Sequence, residues 1–106
     1  EVLIGAGSVI MQGAIVNLSS RIGEGVIINT GASVDHDTNI GDYCHVAPGA
    51  VLCGGVRIDS AALIGAGSTI IEGIRVGAGA IVGAGAVVTK DVEAGAKVIG
   101  VPAKKT

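Results

Sequence analysis

At 106 residues, with seven basic against nine acidic side chains, the chain has room for one domain and lacks the concentrated positive field of a nucleic-acid binder. Nearly half of it (49%) is apolar, yet Tyr43 is its single aromatic, which excludes a conventional core filled by large rings. No apolar run approaches the roughly 18 residues of a membrane span, no signal peptide is visible, and Cys44 and Cys53 form neither a disulfide framework nor a zinc knuckle, so a cytoplasmic setting is expected.

From Ile4 an aliphatic residue recurs at every sixth position, through Ile10, Val16 and Ile22 to Val82 and Val88, without a break. Four places after each stands something small or β-branched, from Ser8 and Ala14 to Ala86 and Val92. Glycine dominates the third place, as at Gly7, Gly13, Gly25 and Gly31. Neither a helix nor a simple strand has a period of six, so this is a repeat protein. Within one hexad the small residue and the next aliphatic lie two apart and share the inner side of a short strand, while the residue between them points out. The three residues after the aliphatic make a corner, where glycine serves a positive φ or a close backbone approach. Three such strands close a triangle, and the triangles stack at roughly 4.8 Å by parallel pairing. The expected fold is an all-β triangular prism of five 18-residue coils over residues 1–93, followed by a C-terminal cap or tail over residues 94–106. Val98 to Thr106 are expected to leave the repeat and to pack as a cap or cross to a neighbour.

Residues 18 apart then lie one above another. The first outward column reads Val9, Ile27, His45, Leu63, Ile81; the second reads Ile15, Ser33, Val51, Thr69, Val87. The third, Arg21, Asn39, Arg57, Arg75 and Glu93, is polar. Two apolar outer walls call for burial by other subunits, and a threefold ring of heterologous contacts supplies it. The alternative is that outward β-branched residues merely follow strand propensity.

The first of two histidines, His36, sits mid-corner between Asp35 and Asp37. A carboxylate that orients the imidazole or stabilises its protonated form makes it a better general base; a solvated polar corner is the other reading. His45 interrupts the apolar first column, where an ionisable side chain is costly without a task or a partner. Within one chain the prism separates the two rings. In a threefold ring, His36 of one copy is expected to approach His45 of the next. Cys44 points inward and Cys53 stands in a corner, both read as apolar filler rather than nucleophiles. Lys90, Lys97, Lys104 and Lys105 gather near the C-terminus, as phosphate contacts or as a solvated tail.

The runs Gly25 to Asp37 and Ile40-Gly41-Asp42-Tyr43-Cys44-His45-Val46 resemble the sugar O-acyltransferases of the sialic acid O-acetyltransferase type and the enzymes that N-acetylate UDP-4-amino-sugars. The similarity extends through Ile81 to Val88 and the ending Gly100-Val101-Pro102-Ala103-Lys104. The resemblance implies a left-handed parallel β-helix, a homotrimer, and transfer of an acetyl group from acetyl-CoA, as co-substrate, to an amine or hydroxyl of a nucleotide-sugar. It implies that His36 is the proton acceptor and that Asp37 raises its basicity. It further implies that His45 contacts acetyl-CoA near the thioester, that backbone groups of Ala66 and Ala84 hold the pantetheine arm, and that Gly54 lies close by. Relatives of this type also carry an N-terminal α/β domain, to which nothing here corresponds, and the chain opens inside its repeat without Met, as an excised domain would. Rival functions are a non-catalytic trimerising solenoid, a γ-carbonic-anhydrase-like zinc enzyme, and another branch of CoA-dependent acyltransferases such as the serine or xenobiotic enzymes, which usually carry loop insertions that the hexads from Ile4 to Val88 lack. The second is disfavoured because two histidines supply too few ligands for a catalytic zinc, and no metal is expected.

Overall fold

The structure, a computed structural model, describes residues 1–106. Fifteen two-residue strands, from Leu3–Ile4 to Val87–Val88, fall one per hexad. Each is short because the corner that follows turns the chain before a third residue can pair. The strands stack into three parallel sheets, one per face of a prism measuring 34 × 22 × 20 Å. Register holds at eighteen: Ile27 lies opposite His45, His45 opposite Leu63, and Ser33 opposite Val51. The coils are tied axially by backbone bonds such as His45 N–H to the Ala62 carbonyl at 3.1 Å and Leu63 N–H to that of Ala80 at 2.9 Å.

From Ile22 onward the inward places form one continuous core, with Ile10, Ala14 and Val16 partly buried against it and Ile4 of the first coil left exposed. Val26, Ile28, Val34, Val46, Leu52, Ile64 and Ile70 are completely buried. Small polar residues share that interior because each hydroxyl reaches a carbonyl. Ser20 Oγ donates to the Asp35 carbonyl at 3.0 Å and Ser68 Oγ to that of Gly65 at 2.7 Å. No buried side-chain nitrogen or oxygen lacks a partner, as a core this narrow requires, since it offers such a group no water.

The third corner residue takes a left-handed backbone. Glycine fills that place at Gly25, Gly49 and Gly67, but Ser19, Asp37, Tyr43 and Ala61 hold it with φ near 60° (62°, 58°, 60° and 60°). Such a residue costs on the order of 1 kcal/mol or more relative to glycine, so a side chain retained there invites a functional explanation.

Past Val88 the eighteen-residue register lapses. Val92 pairs with Val76, sixteen residues away, and Ile81 and Val82 pair with Lys97 and Val98 at the same interval. The corner after Val88 is two residues short. Val92 therefore takes the inward aliphatic place rather than the small one, and Glu93 falls out of the third outward column in which simple eighteen-residue counting puts it. Asp91 closes the defect: its Oδ1 accepts the Arg75 N–H at 2.9 Å, standing in for a ladder carbonyl. The boundary expected at residues 93/94 thus falls within a partial sixth coil, in which Ala96 and Val98 are buried. After Ile99 the chain reverses, and Lys104–Lys105 pairs antiparallel with Lys97–Ile99. The tail also folds onto the fifth coil, with Val87 N–H donating to the Gly100 carbonyl at 3.0 Å and Ala103 N–H to that of Val87 at 2.8 Å.

Candidate active site

His36 and Asp37 occupy the corner between strands Ser33–Val34 and Asn39–Ile40. The left-handed φ of Asp37 turns its carboxylate back toward the preceding residue, and His36 Nδ1 lies 3.0 Å from Asp37 Oδ2. An ionised carboxylate can only accept, so Nδ1 carries the hydrogen and Nε2 of the neutral ring is left as a proton acceptor. Asp35 braces the same corner: its Oδ1 accepts the His36 backbone N–H at 2.7 Å and the Asn17 amide, from the coil before, at 3.1 Å. Those two donors hold the Asp35 carboxyl below its ordinary range. The bond to Asp37 raises the His36 pKa above the usual 6.5, and the charges of Asp35, Asp37 and Glu72 act in the same direction. The ring is largely exposed, with 63% of its side-chain surface open.

His45 stands half-buried on the first face, in strand His45–Val46, across the prism from the His36 corner. Asn29 Oδ1 accepts the Thr30 N–H at 2.7 Å, which fixes the orientation of that amide. Its Nδ2 is thereby directed at His45 Nε2, 3.2 Å away. Nε2 is the acceptor of that bond, so His45 keeps Nδ1–H as a donor. Ala66 and Ala84 are exposed on successive coils of the corner between the first and second faces, linked by Gly85 N–H to the Ala66 carbonyl at 2.8 Å. Gly54 is elsewhere: it lies on the His36 corner one coil on, against the imidazole itself. Within one chain, then, His36, Asp37 and Gly54 come together, Ala66 and Ala84 form a second cluster, and His45 lies apart from the first.

The cysteines show no sign of activation. Cys44 is buried with Sγ 2.9 Å from the Asp59 carbonyl, and burial pushes its thiol pKa up. Burial also raises that of Cys53, with the charges of Glu72 and Asp35 adding to the shift. No three His, Cys, Asp or Glu side chains of the chain converge as a metal-binding group, and no helix is long and apolar enough to cross a membrane. Lys90, Lys104 and Lys105 line a cleft of about 410 Å³ at the C-terminal end, where Lys105 pairs with Glu93 at 3.2 Å. Sequence reasoning missed the supports, Asn17, Asn29 and Glu72. Asn17 and Asp35 are one register apart and Glu72 is two registers beyond His36, so the column rule contained that signal; Asn29 and His45 meet on a diagonal that it does not describe.

The bacterial transferase hexapeptide (six repeats) family model matches residues 19–54 and 55–90. Comparison with curated proteins returns no match. Among solved structures, the acetyltransferase domain of PglB from Neisseria gonorrhoeae FA1090 is 43% identical with a TM-score of 0.98, over 99% of this chain and 51% of that one. PerB from Caulobacter crescentus, in complex with CoA and GDP-perosamine, is 46% identical with a TM-score of 0.98 over the same shares, 99% and 51%. A UDP-N-acetylglucosamine acyltransferase from Francisella novicida is 30% identical with a TM-score of 0.90, over 99% of this chain and 41% of that one. The chain spans about half the length of the first two. The prism is the left-handed parallel β-helix of these proteins.

Proposed function

Because this chain belongs to the bacterial transferase hexapeptide family, we propose that it transfers an acetyl group from acetyl-CoA to an amine or hydroxyl of a nucleotide-sugar, with His36 as proton acceptor at a junction between copies of a homotrimer. The observation that carries the reading is the His36–Asp37 pair, which leaves Nε2 of an exposed imidazole as a base. The acceptor nitrogen or oxygen bonds to the thioester carbonyl carbon, the C–S bond breaks, CoA leaves as the thiolate, and the acceptor's proton passes to Nε2. His45, with Nδ1–H left as a donor, suits the developing negative charge on the carbonyl oxygen. Ala66 and Ala84 offer backbone groups to an extended pantetheine arm, and the lysines of the C-terminal cleft suit the CoA phosphates. Solved relatives crystallised with CoA and a nucleotide-sugar, or with acetyl-CoA, support the choice of substrates. Apolar outward residues, Val9, Ile27, Leu63 and Ile81 on one face and Ile15 and Val51 on the next, are 37–55% exposed in the single chain and support association. A cytoplasmic setting, where acetyl-CoA is supplied, completes the reading.

Thermal unfolding with acetyl-CoA against free acetate tests it. Ligand that binds the folded state raises the melting temperature by linkage. Selective stabilisation by the thioester is expected, and an absence of any shift favours a non-catalytic trimerising solenoid.

A further inference from the structure

Gly54 follows His36 by one register on the same corner, and the imidazole lies directly on it. A Cβ added at Gly54 meets Cε1 of His36 at 2.8 Å and Nε2 at 2.9 Å, both closer than side chains pack, and Nδ1 at 3.4 Å. The backbone does not ask for glycine here. The left-handed residue of the corner is Gly55, with φ 71°, whereas Gly54 is not among the residues of positive φ. Nor does the fold: the same middle place holds Leu18 and Glu72 in other coils, both exposed. Gly54 alone of these three is buried, and what covers it is the ring. We propose that Gly54 is a positioning residue for the proton acceptor, its missing side chain being what lets the His36 ring lie along the prism with Nδ1 on Asp37 and Nε2 free.

This deepens the acyl-transfer reading and rests on it for its consequence in turnover; the ring position itself is independent of that reading. A methyl group at position 54 strikes the Cε1–Nε2 edge first. The ring must swing away, which stretches or breaks the 3.0 Å bond to Asp37. The groups that face the imidazole are Asp35 and Asp37 on its own corner and Glu72 two registers on, all anionic. Of these, Asp37 is the one bonded to the ring, so its loss dominates.

The test reads the ring directly. The chain has only two histidines, so two Cε1–H resonances are assigned by comparing the native chain with His36→Gln. In the native chain a nuclear Overhauser contact is expected between His36 Hε1 and the Gly54 α-protons. Gly54→Ala should move the His36 titration midpoint down toward 6.5, in the same direction as Asp37→Asn. Gly79→Ala, at a left-handed corner whose added Cβ meets nothing, strains the backbone without touching either histidine and should leave that midpoint where it was. In an acetyl-transfer assay Gly54→Ala should lower kcat by about 100-fold with little change in KM for acetyl-CoA. No Overhauser contact in the native chain, or an unmoved midpoint in folded Gly54→Ala, overturns the assignment. If Gly54→Ala does not fold, the Overhauser contact decides alone. A chain inactive toward every acceptor but showing the contact and the shifted midpoint sinks the acyl-transfer reading and leaves the positioning intact.

Discussion

At the scale of single residues, Asp37 accepts a strained backbone and in return fixes one tautomer of its neighbour. The raised pKa of His36 has a defined sign for both activity and stability. A base works only when unprotonated, so acetyl transfer should rise with pH through a midpoint above 6.5, and Asp37→Asn should move that acid limb down toward 6.5 while lowering the plateau. The rate profile of the two proteins checks this. For stability, a folded-state pKa above the unfolded value means that the contribution is full below 6.5 and fades as pH rises through the folded midpoint. Asp35 runs the other way, contributing above 3.8 and losing its contribution as pH falls through its lowered value. In melts across neutral pH, His36→Gln should therefore remove a shallow decline in melting temperature on the alkaline side, while the fall in strong acid persists. The pair itself was legible in the sequence because Asp37 follows His36 directly and a corner brings adjacent side chains together. Gly54 was legible only as a residue near bound cofactor by family resemblance, and its packing against the ring needed the rotamer of His36, which no spacing rule supplies.

At the scale of the hexad, two neighbouring residues of one strand should behave as opposites. Ile64 is fully buried and Leu63 beside it is 37% exposed. Ile64→Ala opens a cavity in a core one side chain wide and should cost about 2–5 kcal/mol, read as a lower denaturant midpoint at unchanged slope. Leu63→Ala should cost the isolated chain little and act instead on association. Because each coil contacts only its neighbours, the Ile64 loss should appear as local opening of the middle coils in hydrogen exchange rather than fraying from an end. The fifteen strands and their columns were readable from the hexads because inward places admit only aliphatic or small residues. The last coil was not. Val92 fits the small place of the old frame and the aliphatic place of a frame shifted by two, and only pairing with Val76 distinguishes them. Asp91, whose carboxylate completes the shortened corner, resembles any other polar turn residue in the sequence.

At the scale of the whole molecule, the His36 corner and the His45 face lie on opposite sides of one prism, so a site that uses both must be built by two copies. The exposed apolar columns that flank His45, with Ile27 at 39% and Leu63 at 37%, supply the surface for such contact. Leu63→Lys puts a charge in the middle of that wall and should yield monomers in light scattering, whereas a native chain that is itself monomeric at micromolar concentration would remove the shared site altogether. The sharper test mixes two inactive variants. His36→Gln supplies an intact His45, and His45→Gln supplies an intact His36. If each site takes one histidine from each of two neighbours in a closed ring, random assembly from equal amounts gives about a quarter of the sites both native residues. Co-refolding should therefore restore roughly a quarter of native turnover from two preparations that have almost none. If instead each chain carries a complete site, every site in the mixture lacks one histidine and no activity returns. The native-sized assembly must form in both cases, so recovery reports which chain provides each ring and not merely that the chains associate.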